Sequence, residues 1–307
     1  MEMERALQRA KRKQLMKTIG IACIVTCVAL VIAYKGMTHF TKKQYERLDE
    51  SLFLRHAVME PNVTINSQTI NSSDLFGGTI VTHRSKEVNG YLVPWGTIES
   101  PYTWLNSSVD TTALTSGDAG TDTVGYSYDR PSKQKVATFY HPDVATYHYD
   151  VPNDLKAVSQ MDGYSAEVAL SFTKPVRYKD VVAMIPEESL TIDWVYAFSE
   201  PRQADRDGTN GYVAEEPYGF HVAADDPTAS LHSFVEALEQ WNEKRDDEVV
   251  QTYVKRVNDQ PIDDVEVLGV TVSGQGPAFQ ALLDEPLIRA ASVGVTVEHV
   301  PYIEPKK

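Results

Sequence analysis

Cysteine is almost missing from this chain. Of its 307 residues only Cys23 and Cys27 carry a thiol, and both lie inside one apolar run near the N-terminus. Everything after that run folds without disulfides, which is unusual for an animal secreted domain and ordinary for a bacterial surface. Basic charge is also short: 29 Lys and Arg stand against 43 Asp and Glu, a formal net charge of -14. Arg5, Arg9, Lys11, Arg12, Lys13 and Lys17 all precede the apolar run, so the rest of the chain is more acidic still. That balance argues against nucleic-acid binding by the large part. It favours solubility and contact with cations or a cationic wall component. Recognised enzyme signatures are missing too: no phosphate-binding glycine loop, dinucleotide fingerprint, G-x-S-x-G elbow or H-E-x-x-H pair occurs.

One long apolar run is present, TIGIACIVTCVALVIAY, Thr18 to Tyr34, held between Lys17 and Lys35. As a helix it covers about 26 Å, slightly less than a hydrocarbon core of about 30 Å, and the flanking lysines can snorkel outward. A cleaved signal is disfavoured, since no A-x-A-like site follows the run. Cys23 and Cys27, four apart on one helical face, read as small apolar residues of the span. The basic end should be cytoplasmic, which places the bulk of the chain outside the cytoplasm. The sequence therefore divides into a short basic cytoplasmic tail at 1–17, a transmembrane helix at 18–34 and a helical stalk at 35–60 ended by Pro61. The tail reads most simply as a stop-transfer and lipid anchor, with Leu7, Ala10 and Leu15 available to a partner.

Residues 61–160 predict a β-rich extracytoplasmic domain. Asn89-Gly90 between two β-branched or aromatic runs marks a hairpin. A second hairpin is expected in TVGYSYDRPSKQKVATFY, turning near Pro131-Ser132, and Ser107 to Asp122 reads as a polar loop. Asn-x-Ser/Thr triplets at Asn62, Asn71 and Asn106 read as chance matches.

Residues 161–307 predict an α/β domain. Ala166, Val168, Leu170 and Phe172 alternate before a turn at Lys174-Pro175, and Tyr178, Val181, Val182 and Ile185 fit a helix face stopped by Pro186. Ile192, Trp194, Tyr196 and Phe198 alternate in a strand, and a polar loop runs to about Gly219. Leu231, Phe234, Val235, Leu238 and Trp241 mark an amphipathic helix opened by Asp226-Pro227; Val249, Val250, Tyr253, Val254 and Val257 mark another. Val168–Phe198 and Leu268–Val297 share one plan: strand, turn, short helix, acidic break, strand. Two such units joined by the paired helices give a sandwich with helices on one face of a mixed sheet.

Candidate chemistry is sparse. Asp205, Asp207, Thr209 and Glu216 match positions 1, 3, 5 and 12 of a calcium loop, but Asn210 stands where glycine is wanted, and an acidic loop is the preferred reading. His141 and His148, near Asp143 and Asp150, match no closed zinc site and read as exposed histidines of a strand or turn. Gly274-Gln275-Gly276 reads as a turn. No catalytic, metal or cofactor residue is assigned, and the chain is expected not to be an enzyme.

ALQRAKRKQLMKTIGIACIV, the span and GYLVPWGTIESPY together resemble the N-terminal region of the sigma-factor regulator family. VALSF…IDWVYAF and GVTVSGQGPAFQALLDEPLIRAASVGVTVEHV resemble its C-terminal domain. The resemblance implies a membrane-bound anti-sigma factor, or an accessory subunit of one, acting on an extracytoplasmic-function sigma factor. Its cytoplasmic part would hold the sigma factor, alone or with a small partner membrane protein, and its outer domain would sense envelope stress. Typical members place a longer segment before the span; the tail here is too short to bury about 800 Å² per partner. Either it acts beside a second membrane protein, or direct sigma binding is lost, or the chain starts further upstream. The alternative from a different class is an extracytoplasmic binding or scaffold module of the cell envelope with no transcriptional role.

Overall fold

The structure, a computed structural model, describes residues 2–71, 73–74, 76–109, 117–120, 125–201, 217–243 and 245–300. The predicted span and stalk form one uninterrupted helix, α1 (Glu2–Met59). It is long and apolar enough to cross a membrane, and its apolar window is entirely unburied by the protein. It stops where Pro61 removes a backbone donor and Asn62 takes a positive φ of 50°.

Three antiparallel strands follow, β1 (Thr64–Asn71), β2 (Gly77–Val88) and β3 (Tyr91–Thr103), in that spatial order. The predicted hairpin is present: Asn89 and Gly90 both take positive φ (50° and 82°), as a two-residue primed turn requires. Leu48 and Leu52 of α1 pack on Ile80 and Tyr102, so the outer part of the helix is one wall of this layer.

The second hairpin is half right. Its turn lies at Asp129–Gln134, closed by Asp129 N–H to Gln134 O (2.8 Å) and by Ser132 N–H to Asp129 Oδ2 (2.8 Å). The strand before it, β5 (Gly125–Tyr128), pairs instead with β4 (Gly117–Gly120), which falls within the stretch read as loop. The returning arm makes only a bridge, Tyr128 to Lys135. Its donors are taken elsewhere: Thr138 N–H bonds Ser292 Oγ and Tyr140 N–H bonds Ser171 Oγ.

The C-terminal sheet contains β6 (Tyr164–Arg177), β7 (Leu190–Phe198), β8 (Tyr218–His221), β9 (Glu266–Gln275) and β10 (Ile288–Glu298), ordered β10-β6-β9-β7-β8. Every neighbouring pair is antiparallel, so the expected mixed sheet is corrected. The two repeated units are interleaved: β9 lies between β6 and β7, and β6 lies between β9 and β10. Each unit's own strands are parallel but never adjacent, a split β-α-β arrangement. The turn expected at Lys174-Pro175 is a bulge inside β6, where proline cannot donate to the ladder. β8 occupies the last residues of the predicted polar loop.

Short helices α2 (Leu155–Val158) and α3 (Tyr178–Met184) precede the paired helices α4 (Pro227–Asn242) and α5 (Glu248–Val257). Asp226 caps α4 through Ala229 N–H (2.9 Å), with Pro227 in the first turn. Two 3-10 turns, η1 (Ile262–Asp264) and η2 (Gly276–Leu282), flank β9. Val168, Leu170, Phe172, Val195, Val270 and Val272 meet Val181, Leu231, Phe234, Leu238, Val254 and Phe279 in the main core. Val58, in the last turn of α1, belongs to the same core. The other face of the sheet is different. Ser165, Glu167, Ser171, Asp193, Thr271 and Ser273 are all buried there.

Candidate functional site

The polar face of the sheet meets the end of α1 and the β2–β3 hairpin in a buried ionic junction. Two carboxylates organise it. Glu60 directly follows α1 and is 7% exposed. Arg84 Nη1 on β2 lies 3.3 Å from Glu60 Oε2, Arg55 Nε 3.7 Å from Oε1 and His56 Nδ1 3.5 Å from Oε2. Burial pushes the Glu60 carboxyl up, but His56 and the charges of Arg84 and Arg55 outweigh that and hold it below the usual glutamate value. Arg84 also donates Nε–H to Gly96 O (2.6 Å). A Cβ at Gly96 would stand 2.5 Å from Asp129 Oδ1, which shares the Arg84 environment, so a larger residue there would displace the Asp129 carboxylate.

The second carboxylate is Glu167, fully buried on β6. Lys86 Nζ on β2 donates to both its oxygens, at 2.8 and 3.1 Å. Asn62 Nδ2 donates to Oε1 (3.0 Å) and Val295 N–H to Oε2 (3.3 Å). Asn62 is thus a buried structural donor and no glycan acceptor. Lys86 lies 4.6 Å from the Trp95 ring centre, which screens its stem from water. At the hairpin tip, Asn89 Nδ2 bonds Ser165 Oγ (2.9 Å) and Asn89 N–H bonds Ser273 Oγ (3.3 Å). Helix α1, the hairpin and the C-terminal sheet are therefore tied together by charged and amide groups that are buried or half-buried.

Asp193 sits beside this network at the β7 bulge. It is 9% exposed, and its Oδ2 has no hydrogen-bond partner among the described residues. Burial raises its pKa well above the usual aspartate value; Ser273 and Lys86 oppose the rise, and Glu167 and Glu87 add to it. The arrangement is built for mechanical linkage. Removing one member of a buried pair strands the other without compensation, so relative movement of the three parts is strongly resisted.

The residues weighed from the sequence lie elsewhere. His141 is corrected from exposed to buried: its Nδ1 accepts from Asp143 N–H (3.1 Å) and its Nε2 contacts Ser199 O (3.2 Å). Both ring nitrogens thus serve the fold. His148 and Asp150 are exposed. Among the described residues, no group of three His, Cys, Asp or Glu is placed to hold a metal ion. Asp205, Asp207, Thr209 and Glu216 lie outside the described residues. Gly276 opens η2, where a Cβ would stand 2.5 Å from Met161 O and 2.7 Å from Val158 O, so the glycine serves close packing on α2.

The family model described as sigma factor regulator N-terminal matches residues 4–93, and that described as sigma factor regulator C-terminal matches residues 158–295. The chain belongs to the sigma factor regulator family. No curated protein and no solved structure matches it. The N-terminal match takes in α1 from residue 4 onward and the junction's cationic residues Arg55, Arg84 and Lys86. The C-terminal match takes in Glu167, Asp193 and Val295. The buried junction thus joins the two family regions to each other.

Proposed function

We propose that this sigma-factor regulator is membrane-anchored through α1, with residues 1–17 cytoplasmic and the folded body extracytoplasmic, and that it acts on an extracytoplasmic-function sigma factor in response to the state of the envelope. The observation that carries this reading is the continuity of α1. One helix runs from Glu2 through the apolar run to Met59 and ends on the buried Glu60–Arg84 and Lys86–Glu167 pairs. A displacement of the outer body is therefore delivered toward the basic end along one continuous helix, Gly20 and Gly36 included. The charge asymmetry supports the orientation, since the basic residues crowd the N-terminal side of the span.

The role is regulatory rather than catalytic. Both Glu167 oxygens are engaged by Lys86, Asn62 and Val295, which suits a tether and not a proton shuttle. The partner at the inner end is the sigma factor, held directly or beside a small membrane protein. Deletion of the gene is expected to raise transcripts of one sigma-dependent regulon. A photoreactive group at Leu7 or Ala10 is expected to capture the sigma factor or its membrane partner in intact cells. Unchanged transcripts together with an empty crosslink would reject the reading in favour of an envelope scaffold.

A further inference from the structure

The β1–β3 sheet has two ends with different chemistry. Its outer end is the Asn89-Gly90 tip, half-buried against β6 and β9. Because β1 returns along α1, β2 runs outward and β3 returns again, Asn71, Gly77 and Thr103 meet at the opposite end, facing the span. That end is fixed to α1 by Gln44 Nε2, which donates to Leu105 O (3.1 Å). Half-buried Met37, Thr41, Gln44 and Tyr45 lead at helical spacing into buried Leu48, so the side of α1 that meets the sheet opens close to the apolar run.

The heights follow from helix geometry. A hydrocarbon core of about 30 Å takes about 20 residues, which carries the boundary from Thr18 to Met37. Gln44 then lies about 10 Å beyond it, a few ångströms outside a headgroup layer on the order of 5–8 Å thick, a gap about the length of a tryptophan or phenylalanine side chain. At this height the protein leaves three large apolar side chains in the open: Phe76 (56% exposed), Trp104 (38%) and Leu105 (67%). They are held in place from below. Trp104 N–H bonds Phe76 O (2.9 Å), and Thr103 Oγ1 accepts from Leu105 N–H (3.2 Å) and Asn106 N–H (3.1 Å). Asp74 directs its carboxylate inward, onto Phe76 N–H (2.7 Å) and Gly77 N–H (3.0 Å). On α1, exposed Phe40, Lys42 and Lys43 lie between the boundary at Met37 and Gln44, within the span of the headgroup layer and just beyond it. Aromatic rings with lysines beside them suit the interfacial layer of a bilayer, where one end of the side chain is apolar and the other is wet.

We infer that Phe76, Trp104 and Leu105 rest in the interfacial layer of the same bilayer that α1 crosses, so that lipid is the partner of this end of the sheet. The inference rests on the anchored reading above. It gives the outer body a second point of support and fixes its tilt on the membrane.

The test uses the full chain reconstituted into phosphatidylcholine–phosphatidylglycerol vesicles whose acyl chains are brominated near the headgroup. Of the four tryptophans, Trp194 and Trp241 are buried and Trp95 is half-buried, leaving Trp104 as the exposed emitter. Brominated lipid is expected to quench part of the emission, and Trp104→Phe to remove that part. Flotation of the vesicles reports insertion of α1 separately. Equal quenching in both floated proteins overturns the lipid contact and leaves the anchor standing. Protein that fails to float overturns both. Should Trp104→Phe not fold, Leu105→Asp is expected to reduce the quenching, and undiminished quenching in that variant overturns the inference.

Discussion

Lys86 and Glu167, 81 residues apart, face each other across the boundary between the two family regions with Nζ to Oε1 at 2.8 Å, their side chains 4% and 0% exposed. No water competes for either group, so each depends on the other. Lys86→Met should leave Glu167 as an uncompensated buried charge and cost about 3–5 kcal/mol. The double variant Lys86→Met, Glu167→Leu should recover much of that loss, because a buried pair contributes far less than its breakage costs. Urea titrations of the two variants check the difference. Equal destabilisation by both would show that the pair is not coupled.

Asp193 gives a stability slope of the opposite sign from that of an ordinary carboxylate. Its folded pKa is raised, so between the unfolded value of 3.8 and the higher folded value the unfolded state releases its proton first. Stability is therefore lost as pH rises through that window. Burial is the main cause of the shift; Glu167 and Glu87 add to it, and Ser273 and Lys86 oppose it. Asp193→Asn is expected to stabilise the protein by about 1–3 kcal/mol at pH 7 and to have little effect near pH 3. Melting curves across that range read the slope.

Glu60 behaves conventionally. Its folded pKa lies below the unfolded value of 4.5, so its contribution is present above that pH and is lost as pH falls through the folded value. Arg84→Met should cost about 3 kcal/mol at neutral pH, and the penalty should shrink once Glu60 is protonated. Stability measured at pH 7 and at pH 3 separates this from a loss of packing alone.

Gly90 takes φ of 82° at the hairpin tip. Gly90→Ala forces a side chain into the left-handed region and is expected to cost about 1–2 kcal/mol. Asn89→Ala should cost at least as much, since Asn89 also takes a positive φ (50°) and its side chain donates to Ser165 Oγ. Thermal melts of the two single variants are expected to fall, that of Asn89→Ala at least as far.

The elements readable in the sequence were those whose cause is local. Asn89-Gly90 specifies its turn by backbone conformation, Asp226-Pro227 opens α4 by cap and first-turn chemistry, and the apolar period of Leu231 to Trp241 marks the buried face. Elements missed were those decided by distant partners. Gly117–Gly120 has no apolar period and becomes a strand only because Gly125–Tyr128 lies opposite. After Val136, which still bonds Ser127 O, the arm leaves its predicted partner because Ser292 and Ser171, far along the chain, accept the N–H groups of Thr138 and Tyr140.

The sequence by itself determined the axis of this protein: one uncharged run between Lys17 and Lys35, basic residues before it and acidic bulk after it. Hydrophobicity and charge act residue by residue, so they can be read without a fold. Only the tertiary structure decided that the two repeated units interleave, that Glu167 faces Lys86 and that Glu60 gathers Arg84, Arg55 and His56. Such meetings depend on strand order and on which side of a sheet a side chain points. A buried charge can be placed only once its partner is.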